Sequence, residues 1–228
     1  MNKEKYIEFL KTNLNTWFYK FEPCIFSNDI LEMFENIKKI KSKTNIYPTV
    51  NEMFDAFKYC DYNNLKVVII GDKPFNHKYS SGFAFGYKEE YGGPFCRTHD
   101  KFKNLLNQHN IDTIGSLGKC DFDYLAKDGV LMLNPQLLNT DIPLKKNIFK
   151  PFIDFLFFEV LKYNNGLIII TFNNDYEEYT KNPFHIHIKS KFDIFNNRDV
   201  KTLFVDDLFI VVNDLIVKSN GIEFKINW

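Results

Sequence analysis

The sequence predicts an α/β protein: a three-layer α/β/α sandwich around a central parallel four-stranded sheet, built as one domain over residues 1–228. Three observations lead there. Short, nearly continuous apolar runs rich in β-branched residues recur along the chain, the pattern of strands buried on both faces. Segments with helical apolar spacing alternate with them, as helices flanking a parallel sheet do. The composition, 45% hydrophobic and 25% charged, is that of an ordinary globular domain, and 228 residues suit one good-sized core.

Each element has its own warrant. The first third reads as helical. Ser27-Asn28-Asp29 is a helix-capping run, and Ile30, Met33, Phe34, Ile37 and Ile40 then follow at helical spacing. Pro48 opens a second segment, with Val50, Met53, Phe54 and Phe57 along one face. Leu65-Lys66-Val67-Val68-Ile69-Ile70-Gly71 is the first buried strand, closed by glycine. Val130-Leu131-Met132-Leu133 is the second. Ile148–Lys162 has helical spacing, and Leu167-Ile168-Ile169-Ile170-Thr171 is the third strand. Phe184, Ile186 and Ile188 alternate with His185, His187 and Lys189, which predicts a fourth, half-exposed strand. Val205–Val217 reads as a last helix.

Composition excludes several classes of protein. No apolar stretch approaches the ~20 residues of a membrane span, and the N-terminus has no apolar signal core. The expectation is a cytoplasmic monomer with no membrane partner. Net charge is zero, from 29 basic and 29 acidic residues, so bulk charge does not argue for nucleic acid; a local basic face remains compatible with it. Lys (27), Asn (26), Ile and Phe dominate while Arg appears twice, a bias expected of A+T-rich coding. Cys24, Cys60, Cys96 and Cys120 are widely spaced, and no Cys-x-x-Cys or His/Cys cluster has metal-ligand spacing; reduced thiols, no metal and no cofactor are expected. Seven of the ten glycines lie between Gly71 and Gly118. Glycine permits close approach of backbone to ligand, and in α/β sheets ligands bind beyond the strands' carboxyl ends. The loops after the first strand are therefore the expected site.

Specific motifs narrow this. Tyr47-Pro48, Phe54-Asp55-Ala56-Phe57 and Lys66-Val67-Val68-Ile69-Ile70-Gly71-Asp72-Lys73-Pro74-Phe75 resemble, in order, a proline-led helix with F-x-A-F, then K-V-V-I-L-G, then Q-D-P-Y-H. Gly82-Phe83-Ala84-Phe85 is similar to G-L-A-F, and Phe102-Lys103-Asn104-Leu105 to L-K-N-I. Leu125-Ala126-Lys127-Asp128-Gly129-Val130-Leu131-Met132-Leu133-Asn134 is similar to W-A-x-Q-G-V-L-L-L-N, and Ile226-Asn227-Trp228 to P-I-D-W. Together these motifs resemble the uracil-DNA glycosylase superfamily, from about Trp17 to the C-terminus. The resemblance implies a protein that flips a nucleotide out of DNA to reach its base. It implies Phe85 as the wall on which the base stacks and Asn134 as the amide that reads its Watson–Crick edge, since an amide offers both donors and an acceptor. Phe75 falls where the family has the Tyr that blocks a 5-methyl group.

The catalytic residues depart from the family. Lys73 stands where its water-orienting Asp is expected, and a lysine ammonium there repels a cation-like sugar. Asp72 lies one place earlier, where distant branches carry an acid. Asn76-His77-Lys78-Tyr79 replaces H-G-P-G and is one residue shorter. For the second catalytic motif, H-P-S-P-L-S, two registers compete. One puts it at His185-Ile186-His187-Ile188-Lys189-Ser190. The other, ungapped, aligns Leu203–Phe209 with F-F-G-C-x-H-F and Asn213 with a helix Asn; it puts the motif at Asp193-Ile194-Phe195-Asn196-Asn197-Arg198, with Asp193 in place of the His. The candidate catalytic residues are therefore Asp72, Lys73 and Asp193. Lys73 enters either as a spectator or, in a dry site, as an amine nucleophile. Candidate DNA contacts are Lys101, Lys103, Asn197 and Arg198, of which Arg198 suits a phosphate. The expected function is a divergent DNA glycosylase acting on uracil or a modified pyrimidine. The alternative is a catalytically silent DNA-binding or adaptor protein with a protein partner.

Overall fold

A computed structural model describes residues 3–88, 97–107, 122–190, 194–195 and 207–228. In chain order the main elements are α1 (Lys3–Leu14), α2 (Phe18–Phe21), α3 (Asn28–Lys41), β1 (Ile46–Tyr47), α4 (Asp55–Tyr59), β2 (Val67–Ile70), α5 (Arg97–Asn107), α6 (Asp123–Lys127), β3 (Val130–Leu133), β4 (Asn139–Thr140), α7 (Lys150–Phe155), β5 (Ile168–Thr171), β6 (Ile186–Lys189) and α8 (Leu208–Asn220).

The central sheet has the order β3-β2-β5-β6, and every pairing in it is parallel. β2, β3 and β5 are buried at all four positions, as strands covered on both faces must be. β6 alternates half-buried Ile186 and Ile188 with exposed His187 and Lys189, as an edge strand does. The predicted α/β architecture with a parallel four-stranded sheet is the one observed.

Local chemistry fixes the helices. Ser27 caps α3, its Oγ accepting from the Ile30 amide at 3.4 Å. Lys38, Lys39 and Lys41 sit in its last turn, where positive charge complements the helix dipole. The Ile148–Lys162 segment is less regular than its spacing predicts: α7 ends at Phe155 and a π-helical turn continues over Leu156–Val160. The segment after Pro48 is a run of turns that becomes helical only at Asp55.

Aromatic rings fill much of the core. One cluster joins Phe21, Phe54, Phe57 and Phe152, with Phe21 stacked on Phe152 at 4.2 Å. Trp17 packs edge-on to Phe57 and donates its indole N–H to the Cys60 carbonyl at 2.6 Å. A second cluster joins Phe85, Phe102, Phe122, Phe172 and Phe209, and Phe209 packs on the C-terminal Trp228 at 4.4 Å. Asn213 closes the C-terminus by exchanging two 3.0 Å hydrogen bonds with the Ile226 backbone. Cys24 and Cys60 are buried free thiols; burial pushes Cys24 up to about 12 and raises Cys60 as well. Cys96 and Cys120 lie outside the described residues.

Candidate functional site

The carboxyl ends of β2, β3 and β5 come together at Ile70, Leu133 and Thr171. The chain leaves β2 through Gly71 and Asp72, β3 through Asn134, and β5 through Phe172. The Gly71 amide donates to the Leu133 carbonyl at 2.8 Å, so the two exits are locked side by side. Gly71 is required here. A β-carbon on it would lie 2.5 Å from the Asn134 Oδ1 and 2.8 Å from the Ala84 Cβ.

Asn134 is buried, and its Nδ2 donates to the Phe83 carbonyl at 3.3 Å. The Phe83–Phe85 segment runs alongside β3, with the Ala84 amide donating to the Met132 carbonyl at 2.9 Å. Phe85 takes a positive φ of 61°, unusual for a residue with a bulky side chain. His99 holds that conformation: its Nδ1–H donates to the Phe85 carbonyl at 2.8 Å. The Phe85 ring stacks on Phe102 at 4.7 Å and 15°, and meets Phe172 edge-on at 5.3 Å. Phe195 tilts against it at 5.8 Å. The two base-binding candidates from the G-L-A-F and L-L-L-N motifs are thus brought together through the Phe83 carbonyl. With only 4% of Phe85 exposed, a base stacking there must displace a neighbouring ring.

Phe75 is half-buried and meets Tyr87 edge-on at 6.2 Å. The loop that carries it is pinned from the β3 side: the Gln136 amide donates to the Asp72 carbonyl at 3.2 Å, and Asn139 Nδ2 to the Pro74 carbonyl at 2.9 Å. Asp72 is half-buried, and its Oδ1 accepts from the Tyr176 hydroxyl at 2.7 Å. Burial and the Asp72 carboxylate both raise the Tyr176 phenol, so it stays a donor. Lys73 is exposed. An amine nucleophile needs dry surroundings, and Lys73 does not have them.

Lys101 is not a surface charge. It is 8% exposed, and its Nζ donates to the Ile194 carbonyl at 3.2 Å, bracing the stretch after β6 rather than projecting to a phosphate. Lys103 lies half-buried on α5. Asp193, Asn197 and Arg198 lie outside the described residues. His185 stands at the amino end of β6, its Nε2–H donating to the Leu161 carbonyl at 2.9 Å, far along the strand from the carboxyl-end loops. His187 lies on β6 with Nε2 2.8 Å from the Thr171 Oγ1. Burial lowers both imidazoles. His185 closes the turn that leads into β6, its amide donating to the Asn182 carbonyl at 3.1 Å, and the rest of that candidate motif runs along the strand Ile186–Lys189. Among the described residues, no group of three or more His, Cys, Asp or Glu is placed to hold a metal.

Two partners escaped the sequence reading, Tyr176 and His99. Tyr176 sits in the loop after β5, at the carboxyl edge where ligands gather, and that position was its only sequence signal. His99 carries none.

No protein-family model matches the chain. Among curated proteins, uracil-DNA glycosylase 1 of Listeria monocytogenes is 28% identical over 169 residues, 70% of this chain and 73% of that protein. The uracil-DNA glycosylase of Amoebophilus asiaticus is 32% identical over 116 residues, 49% of this chain and 50% of that one. Among solved structures, mimivirus uracil-DNA glycosylase superposes with a TM-score of 0.75 at 16% identity, covering 96% of this chain and 88% of that one. The Nitratifractor salsuginis UNG structure gives 0.57 at 16% identity, covering 100% and 99%. At such identity the structural likeness speaks for the fold. With the sequence relatives, it bears out the resemblance to the uracil-DNA glycosylase superfamily read from the motifs.

Proposed function

We propose that this relative of the uracil-DNA glycosylases is itself a DNA glycosylase, one that takes a flipped pyrimidine and hydrolyses its N-glycosidic bond. The observation that carries the reading is the Asn134–Phe83–Phe85 unit at the carboxyl ends of β2 and β3. A buried amide beside an aromatic ring, with Gly71 kept open for it, has the makings of a pyrimidine pocket.

In this reading water adds to C1′ as the C1′–N1 bond breaks, the bonding pair leaves with the base, and the water's proton passes to solvent or to a carboxylate. Asp72 is the described carboxylate nearest the role. Its Oδ1 is held by Tyr176, and its second oxygen is left to orient a water or to face the cation-like sugar. Phe75 narrows the pocket at the base's 5-position, and Asp193, next to the braced Ile194, is a second candidate acid.

One observation favours the silent DNA-binding alternative: Phe85 is enclosed by Phe102, Phe172 and Phe195. Base release decides between them. Duplexes and single strands carrying uracil, hydroxymethyluracil, hydroxymethylcytosine or its glucosylated form are incubated with the protein, and abasic sites are revealed by alkali. The expected result is release from one substrate, abolished by Asn134→Ala. No release from any of them, with DNA binding intact, replaces the glycosylase with the silent protein.

A further inference from the structure

The turn after Phe75 carries rings that the base pocket does not use. Where the family pattern reads H-G-P-G, this chain has Asn76-His77-Lys78-Tyr79. His77 and Tyr79 stack on each other at 4.8 Å and 24°. Both lean on Tyr87, at 6.4 and 5.7 Å, and Tyr87 in turn meets the edge of Phe75. Tyr87 is buried, whereas Phe75, His77 and Tyr79 each remain part-exposed.

The rings are fixed in place. The Tyr79 amide donates to His77 Nδ1 at 3.3 Å, and the Ser80 amide to the His77 carbonyl at 2.9 Å. The Lys88 amide donates to the Tyr79 carbonyl at 2.7 Å, tying the turn to the strand-like stretch that carries Tyr87. Lys73 and Lys78 are exposed on the same loop, with Lys78 Nζ 4.7 Å from the Tyr79 ring centre. Rings braced at a loop surface beside the exposed Lys73 ammonium form the pattern that holds unpaired nucleic acid: a π-face for a base and a positive charge for its phosphate.

We propose that His77 and Tyr79, backed by Tyr87, are a stacking platform for an unpaired base next to the flipped nucleotide, with Lys73 on an adjoining phosphate. The proposal rests on the reading that the protein works on DNA. It gives Lys73 a use that the sugar site denies it. A base in a duplex has both faces covered by its neighbours, so the platform serves single-stranded or locally melted DNA.

The test is fluorescence anisotropy with a labelled oligothymidylate and a duplex of equal length, at one salt concentration. It compares wild type, the double variant His77→Ala with Tyr79→Ala, and Tyr79→Phe. The double variant is expected to bind the single strand about 10- to 100-fold more weakly and the duplex nearly as well as wild type, with Tyr79→Phe close to wild type on both. Thermal unfolding identifies a misfolded double variant, in which case Tyr79→Ser and His77→Gln singly take its place. A 2-aminopurine beside the target nucleotide reports stacking directly: wild type quenches it and the double variant does not. Equal loss on single strand and duplex, no loss on either, or no quenching by wild type overturns the platform. Base release measured in parallel separates the two readings. Release without single-strand preference leaves the glycosylase and removes the platform, whereas quenching without release does the reverse.

Discussion

Replacing Gly71 by alanine tests whether the Asn134 amide reads the base. The added methyl would sit 2.5 Å from the Asn134 Oδ1 and 2.8 Å from the Ala84 Cβ, the second against an optimal carbon–carbon separation of roughly 3.5–4.0 Å. Both neighbours are tied down. Asn134 is held to the Phe83 carbonyl at 3.3 Å and Ala84 to the Met132 carbonyl at 2.9 Å, so the overlap cannot relax without moving the amide or the Phe83–Phe85 segment. Overpacking of this kind costs about 1–3 kcal/mol, which for a chain of this size lowers Tm by roughly 2–12 °C. The effect on chemistry should be of similar size in free energy, because displacing a positioning group by about 1 Å costs on the order of 10²-fold in rate, about 2.7 kcal/mol. The assay pairs thermal unfolding with base release at saturating and sub-saturating substrate. The expected variant is folded, modestly less stable and about a hundredfold slower. Release at the wild-type rate from a folded Gly71→Ala protein would refute the argument, since the amide would then be free to move without consequence.

Two further outcomes follow from the same region. Tyr176→Phe removes the donor to Asp72, a hydrogen bond to a charged group worth about 1.5–3 kcal/mol; kcat should fall about 10- to 100-fold with KM unchanged, and the loss should vanish in an Asp72→Asn background if Tyr176 acts through Asp72. Asp55 is 4% exposed and packs against Gly82, and burial, with the Glu52 charge adding and Lys58 and Lys88 opposing, raises its carboxyl from 3.8 to about 7. The folded state therefore holds this proton more tightly than the unfolded chain does, so the stabilisation is complete below about pH 3.8 and is lost as pH rises to about 7. The total is about 4 kcal/mol, and urea unfolding of wild type against Asp55→Asn across that window should show the wild type alone losing it; parallel curves contradict the assignment.

Much of the frame was legible because it depends on short-range pattern. Val67–Ile70, Val130–Leu133 and Ile168–Thr171 are apolar runs too short for helices and too apolar for surface strands, and nothing in the tertiary structure overrides them. The Ser27 cap is equally local. The pairing of β1 with β4 was invisible because each strand is two residues long and neither is apolar-periodic. The helix expected from Pro48 is broken by tertiary contact. Gly82 passes so close to the Glu52 carbonyl that a β-carbon there would lie 1.9 Å away, and Glu52 is further drawn to Thr49 and to Lys88. Within the candidate site, Phe85 and Asn134 are picked out by motif. Tyr176 and the inward-turned Lys101 are not, because their partners lie 104 and 93 residues away in sequence, and no local rule joins such residues.

In the proposed reading the recognition and chemical halves of the site are built differently, which accounts for one keeping the family pattern while the other departs from it. Asn134 and Phe85 are held by backbone hydrogen bonds between β2, β3 and the Phe83–Phe85 segment. Changing either residue disturbs the sheet's edge as well as any base held there. The chemical groups sit one step further out, on the loop after β2, where successive side chains diverge. Asp72 turns inward toward the β5 loop and Tyr176, while Lys73 turns out to solvent. Moving the acid by one residue therefore does not simply slide a carboxylate along the chain. It changes the side from which the carboxylate is presented and the loop that steadies it. Such a site can still act on a glycosidic bond if the sugar lies toward the β5 loop, where Asp72 keeps one oxygen free of Tyr176. Lys73 is then relieved of any duty at the sugar. Its position fits the strand's phosphates, where an ammonium attracts what it would have repelled at C1′.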